Sequence, residues 1–147
     1  MTQLRPILLV EDSLNDVELV LAALKKNNFA NPVTVARDGD EALDFLRRRA
    51  KFEARPEGLP IVVLLDLKMP KKDGLEVLRD IKTDPELKMI PVVMLTSSRE
   101  EADLVKSYQL GVNAYVVKPV GFEQFVDAIR RTGMFWAVIN EPPPPGA

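Results

Sequence analysis

Short β-branched runs alternate along this chain with stretches of helical periodicity. Ile7 to Val10, Val33 to Ala36, Ile61 to Leu65, Val92 to Leu95 and Ala114 to Val117 read as strands. Several are apolar at successive positions, as strands covered on both faces are. Between them, Leu14, Val17, Leu21 and Leu24 fall on one helical face, as do Ala42, Leu43 and Leu46. A third helix follows Gly74 with Leu75, Leu78 and Ile81 in step; it should end before Pro85, because the residue preceding proline is pushed out of the helical region. A short, weakly periodic stretch covers Glu100 to Tyr108, and in the last helix Phe122, Phe125, Val126 and Ile129 follow the i, i+3, i+4, i+7 pattern. The alternation predicts an α/β fold, a doubly wound five-stranded parallel sheet with five helices, whose right-handed crossovers put helices on both faces. The longest break, Arg47 to Pro60, reads as partly an extension of the second helix and partly loop. Residues 1–138 read as one domain and 139–147 as a Pro-rich tail expected to be disordered, since Pro142 to Pro145 can form only an extended, solvated segment.

At 147 residues, with 46% hydrophobic and 29% charged, the chain has the make-up of one soluble globular domain. No apolar run approaches the roughly 20 residues that a bilayer span needs, so no membrane contact is expected. The N-terminus lacks the apolar core of a signal peptide, which fits a cytoplasmic location. A net charge of −2 argues against a nucleic-acid surface. The basic cluster Arg47, Arg48, Arg49, Lys51 and Arg55 is interrupted by Glu53 and Glu57 and reads as cations at a helix C-terminus and its loop. The chain has neither histidine nor cysteine, which excludes the usual zinc sites, His- or Cys-based triads and any phosphohistidine of its own. Only oxygen ligands remain, so a bound metal would be a hard cation such as Mg²⁺.

In an open α/β sheet, ligands bind outside the carboxyl ends of the strands. Glu11 and Asp12 follow the first strand, Asp66 the third, Thr96 the fourth and Lys118 the fifth. Each alone has a modest explanation: Asp12 or Ser13 as a helix cap, Thr96 or Ser97 satisfying loop amides, Asp66 as a loop residue, Lys118 as a surface lysine before Pro119. Together they put three carboxylates, a hydroxyl and an ammonium on one rim. Two carboxylates ~4 Å apart repel by roughly 4 kcal/mol at an effective dielectric of 20, so the cluster calls for a cation. With Mg²⁺ beside it, an aspartate carboxylate can act as nucleophile toward a phosphoryl group.

Leu-Val-Glu-Asp at 9 to 12, Leu-Asp-Leu-Lys-Met-Pro-Lys-Lys-Asp-Gly at 65 to 74, Val-Val-Met-Leu-Thr-Ser-Ser at 92 to 98 and Tyr-Val-Val-Lys-Pro at 115 to 119 stand in this order. Over Leu4 to Met134 the chain resembles the receiver domains of bacterial two-component response regulators. The resemblance implies the flavodoxin-like strand order 2-1-3-4-5 and a Mg²⁺-dependent phosphoryl switch. Carried over by position, Asp66 is the phosphoacceptor. Asp12 and Asp66 bind the metal directly, joined by the backbone carbonyl of Lys68 and, through water, by Glu11, where the family more often has aspartate. Lys118 and Thr96 stabilise the phosphoryl group, Thr96 and Tyr115 form the switch pair, and the Lys118-Pro119 bond is expected to be cis. Tyr115 also has the plainer reading of a strand aromatic that packs.

A narrower resemblance lies in the Arg47 to Pro60 segment, the Pro-Lys-Lys-Asp-Gly loop and Phe135-Trp136, which look like those of single-domain regulators serving phytochrome-type histidine kinases. It implies a sensor histidine kinase, of bacteriophytochrome type, as partner and leaves the downstream protein open. Phe135, Trp136, Val138 and Ile139 form a large apolar surface that either packs on its own domain or makes a homodimer contact, the dimer being slightly favoured. The chain is expected to be no enzyme beyond its own phosphotransfer and dephosphorylation. Phosphatases of the haloacid-dehalogenase type also use an aspartyl nucleophile after a parallel strand, but the acid/base aspartate two residues on is Lys68 here. A degenerate receiver acting as a phosphorylation-independent binding module is the alternative reading; the intact Asp12, Asp66, Thr96 and Lys118 set speaks against it. The chain also carries neither glycine-rich nucleotide fingerprint after any strand.

Overall fold

Successive side chains of a strand leave on opposite faces, so a strand apolar at every position must feed two cores. The computed structural model describes residues 5–26, 29, 31–96, 109–112, 114–117 and 122–131, and within them the strands do this. They are β1 (Ile7–Val10), β2 (Val33–Ala36), β3 (Val62–Asp66), β4 (Val92–Thr96) and β5 (Ala114–Val117), all parallel in the order β2-β1-β3-β4-β5. Four helices are described: α1 (Leu14–Lys26), α2 (Gly39–Leu46), α3 (Gly74–Thr83) and α4 (Phe122–Arg131). Leu8, Val10, Val63, Leu65 and Met94 pack with Leu43 and Leu46 of α2 and Val77, Leu78 and Ile81 of α3. The other parity, Ile7, Leu9, Val62, Leu64 and Leu95, packs with Val17, Val20 and Leu24 of α1 and Ala128 of α4. The doubly wound sheet expected from the pattern is therefore present. The Glu100 to Tyr108 helix, Ser97, Lys118 and Pro119, and the terminal segment with Phe135 and Trp136 lie outside the described residues.

Three local expectations need correcting. Both β3 and β4 run one residue further than their apolar runs, because Asp66 pairs with Leu95 and the Leu67 amide donates to the Leu95 carbonyl at 2.8 Å. Asp66 and Thr96 are thus the last residues of their strands, held by the ladder rather than by a loop. In α1 the buried stripe is Val17, Val20 and Leu24, while Leu14 is 63% exposed. Leu14 is the first residue of the helix, just past the carboxyl end of β1. Finally, α2 does not extend into the following segment. It ends at Leu46, the backbone turns left-handed at Arg48 (φ 54°) and Ala50 (φ 52°), and only a single 3₁₀ turn follows at Ala50–Phe52.

That segment is tied down by the cation expected at the helix end. Arg55 donates to the Phe45 carbonyl at 2.6 Å and to those of Leu46, Pro56 and Gly58, and its guanidinium lies 4.2 Å from the Phe45 ring centroid. Burial lowers its pKa, yet arginine stays charged, so it adds donors to the carbonyls at the end of α2 and in the loop after it. Arg47, Arg49 and Lys51 pair with Asp84, Asp44 and Glu41. Replacing Arg55 with alanine is expected to cost about 2 kcal/mol, from several lost hydrogen bonds and one ring contact at partial exposure. Urea unfolding checks this; a loss below about 0.5 kcal/mol, the scale of an ordinary surface change, would mean that water replaces the cap.

Candidate functional site

The carboxyl edge of the sheet is where β1, β3 and β4 stop side by side. Glu11 leaves β1 with its amide donating to the Ala36 carbonyl at 2.9 Å, and its side chain is fully buried. Its Oε1 accepts from the Ser13 amide at 3.2 Å. Ser13 in turn caps α1, its Oγ accepting from the Asp16 amide at 3.3 Å. Between the two readings of the helix cap, the serine takes the role and leaves the Asp12 carboxylate to the rim.

Asp66 is 3% exposed. One carboxylate oxygen each from Glu11, Asp12 and Asp66 can be chosen so that all lie within 4.8 Å of one another. Like charges so close, two of them buried, cost several kcal/mol at a protein-like dielectric, so the cluster is arranged for a cation or for a group that brings one. An all-oxygen donor set with few carboxylates fits Mg²⁺ or a similar hard ion that keeps part of its water shell. Thr96 ends the neighbouring strand and is 1% exposed. Tyr115 pairs with Met94, two residues short of Thr96, so Thr96 and Tyr115 share a sheet face with one pleat repeat between them. Tyr115 is half-buried against the α2/α3 core. The structure thus gathers the carboxylates of Glu11, Asp12 and Asp66, ends the neighbouring strand in Thr96, and sets Tyr115 on the sheet face of Thr96.

The loop from Leu67 to Asp73 frames the rim. Leu67 and Met69 are buried and anchor it, while Lys68 is exposed. It closes with the Gly74 amide donating to the Leu67 carbonyl at 2.9 Å, and an Asp73/Glu76 capping box starts α3. Lys72 is turned onto α3: its ammonium meets Asp80 at 2.6 Å, and that hydrogen bond raises its pKa. A cation in the loop is therefore spent away from the acidic cluster.

Three participants were not foreseen. Arg37, just past β2, donates from Nη2 to the Asp12 carbonyl at 2.7 Å; no spacing in the sequence marks it. Gly74 has no room for a side chain, because a Cβ there would fall on the Asp66 carbonyl oxygen and within 2.8 Å of Leu67 Cα. Gly39 is similarly tight, its Cβ position lying 2.7 Å from Val77 Cγ2. Two concavities of about 240 and 570 Å³ lie elsewhere, along the 55–59 segment. Their arginines serve the walls: Arg5 donates to Leu59 and Pro60, Arg55 to its helix end, and Arg47 and Arg48 pair with Asp84 and Glu57.

Comparison with known proteins agrees with this geometry. A family model described as the response regulator receiver domain matches residues 7–130. Response regulator Rcp1 of Synechocystis sp. (strain ATCC 27184 / PCC 6803 / Kazusa) is 43% identical over 130 residues, 88% of this chain and 87% of that protein. The solved structure of the bacteriophytochrome response regulator AtBRR superposes with a TM-score of 0.87 at 63% identity, covering 95% of this chain and all of that one. The Mn²⁺-bound form of Rcp1 superposes with a TM-score of 0.74 at 42% identity, covering 90% of this chain and 92% of that one.

Proposed function

The chain belongs to the response regulator receiver family, and from that premise we propose that it is a stand-alone switch that takes a phosphoryl group onto Asp66 from a phytochrome-type histidine kinase. The observation that carries the proposal is a nearly buried Asp66 at the end of β3, with Glu11 and Asp12 gathered within 4.8 Å and Thr96 ending the next strand. Likeness along the whole of AtBRR, a bacteriophytochrome response regulator, supports the choice of kinase.

Asp12, Asp66 and the Lys68 carbonyl would hold Mg²⁺ directly, and Glu11 would hold it through water; a Mn²⁺-bound relative supports a divalent site. When bound, the ion neutralises charge on the transferring oxygens. A carboxylate oxygen of Asp66 attacks the phosphorus of the kinase phosphohistidine. The P–N bond breaks, the imidazole keeps the electron pair and gains a proton from solvent, and Asp66 carries the acyl phosphate. Thr96 donates its hydroxyl to a phosphoryl oxygen and Lys118 pairs with another. Drawing Thr96 toward the phosphoryl group opens space on the face it shares with Tyr115, which turns inward and changes the surface offered to a partner.

The chain acts on no foreign substrate; it catalyses only its own phosphorylation and dephosphorylation. No described helix is long and apolar enough to cross a membrane, and a cytoplasmic location suits a soluble kinase partner. Phe135 and Trp136 are proposed as a homodimer contact. An autophosphorylated bacteriophytochrome kinase, labelled on its histidine, is expected to pass label to this chain at least tenfold faster than does a kinase of another sensory class. Equal rates would leave the receiver reading intact and remove the phytochrome assignment.

A further inference from the structure

Any cation at this rim depends on where the Glu11-Asp12 turn sits, and two bonds fix that turn to the end of β2. The Glu11 amide donates to the Ala36 carbonyl at 2.9 Å, and the next residue along, Arg37, reaches back to the Asp12 carbonyl at 2.7 Å. The Arg37 backbone is itself held, its amide donating to Glu41 Oε2 at 3.1 Å. Glu41 also meets Lys51 of the 3₁₀ turn at 2.7 Å. The guanidinium is thus a strut from the α2 start to the backbone of a carboxylate residue in the cluster.

We infer that Arg37 is a positioning residue of the cation site, holding the Asp12 carbonyl so that the Asp12 carboxylate stays beside Asp66; the inference rests on the metal reading given above. Charge alone predicts the opposite sign. A cation beside an acidic cluster repels an incoming divalent ion, so removing it would by itself tighten binding. If Arg37 acts through its hydrogen bond, removing it weakens binding, because the turn gains freedom that the ion must then freeze.

Mg²⁺ titrated calorimetrically into the metal-free full chain separates the two. Arg37→Gln is expected to bind Mg²⁺ about fivefold more weakly than the parent, the scale of one charge-assisted hydrogen bond at a solvated edge. Its unfolding midpoint in EDTA should stay that of the parent, and Arg37→Lys, which keeps a donor, should recover part of the affinity. Unchanged or tighter binding by Arg37→Gln, with a binding parent, overturns the inference and leaves the metal site standing. A parent that takes up no Mg²⁺ overturns the metal reading and the inference with it. Should Arg37→Gln unfold early, Arg37→Lys decides alone: binding weaker than the parent supports the strut, and equal or tighter binding overturns it.

Discussion

Replacing Asp66 with asparagine is expected to abolish phosphoryl uptake and, in the absence of divalent cations, to make the protein more stable than its parent. The first effect is chemical: a carboxamide oxygen is a poor nucleophile and cannot form the acyl phosphate. The second is electrostatic. Asp66 shares the rim with Glu11 and Asp12, with carboxylate oxygens within 4.8 Å of one another. Each such like-charged pair costs roughly 3 kcal/mol at an effective dielectric of about 20, and solvation of the half-buried Asp12 reduces what can be recovered. A gain of about 1 to 2 kcal/mol in EDTA is the expectation, read by urea unfolding. Mg²⁺ should then help the variant less than the parent, which gains about 1.4 kcal/mol at a tenfold excess over Kd by linkage. A variant that is destabilised in EDTA would mean that Asp66 is held mainly by hydrogen bonds and that the cluster is not strained by its charge.

Gly74→Ala carries the largest structural effect, although alanine is the better helix former by about 1 kcal/mol. The added methyl would meet the Asp66 carbonyl oxygen and Leu67 Cα, both backbone atoms at the end of β3 where Asp66 stands. A flexible side chain could step aside; a paired strand can do so only by giving up the Leu67 amide bond to Leu95 or moving α3. The expected outcome is a loss of about 2 to 3 kcal/mol, the cost of overpacking a tight site, together with weaker Mg²⁺ binding. Stability equal to the parent would show that α3 can withdraw from the strand at little cost.

How much of this was legible beforehand depends on how each feature is encoded. The sheet was readable because a parallel strand must be apolar at both parities, and Ile7 to Val10 and Ile61 to Leu65 are. Strand ends were one residue short because a polar side chain says nothing about whether its backbone remains in the ladder, as those of Asp66 and Thr96 do. Leu14 misled for a related reason: periodicity assigns a face but not how far along the helix the core extends, and Leu14 stands beyond it. The end of α2 was overshot because Arg48, a good helix former, adopts a left-handed backbone that composition does not announce. Among the site residues, Glu11, Asp12, Asp66 and Thr96 were placed by the rule that ligands gather at strand ends; the three carboxylates do lie within 4.8 Å of one another, and Thr96 ends the neighbouring strand. Arg37 was invisible because it works through a backbone carbonyl, a contact that leaves no complementary residue type in the sequence. Gly74 stood within a quoted motif, but what it does, letting the α3 start close on β3, needs the coordinates.

Mg²⁺-dependent phosphorylation of Asp66 is tested most directly by the intact mass of the full chain after incubation with acetyl phosphate. With Mg²⁺ the parent should gain one labile phosphoryl group, and neither the parent in EDTA nor Asp66→Asn should gain any. A phosphoryl group gained by Asp66→Asn, or gained equally in EDTA, would contradict it.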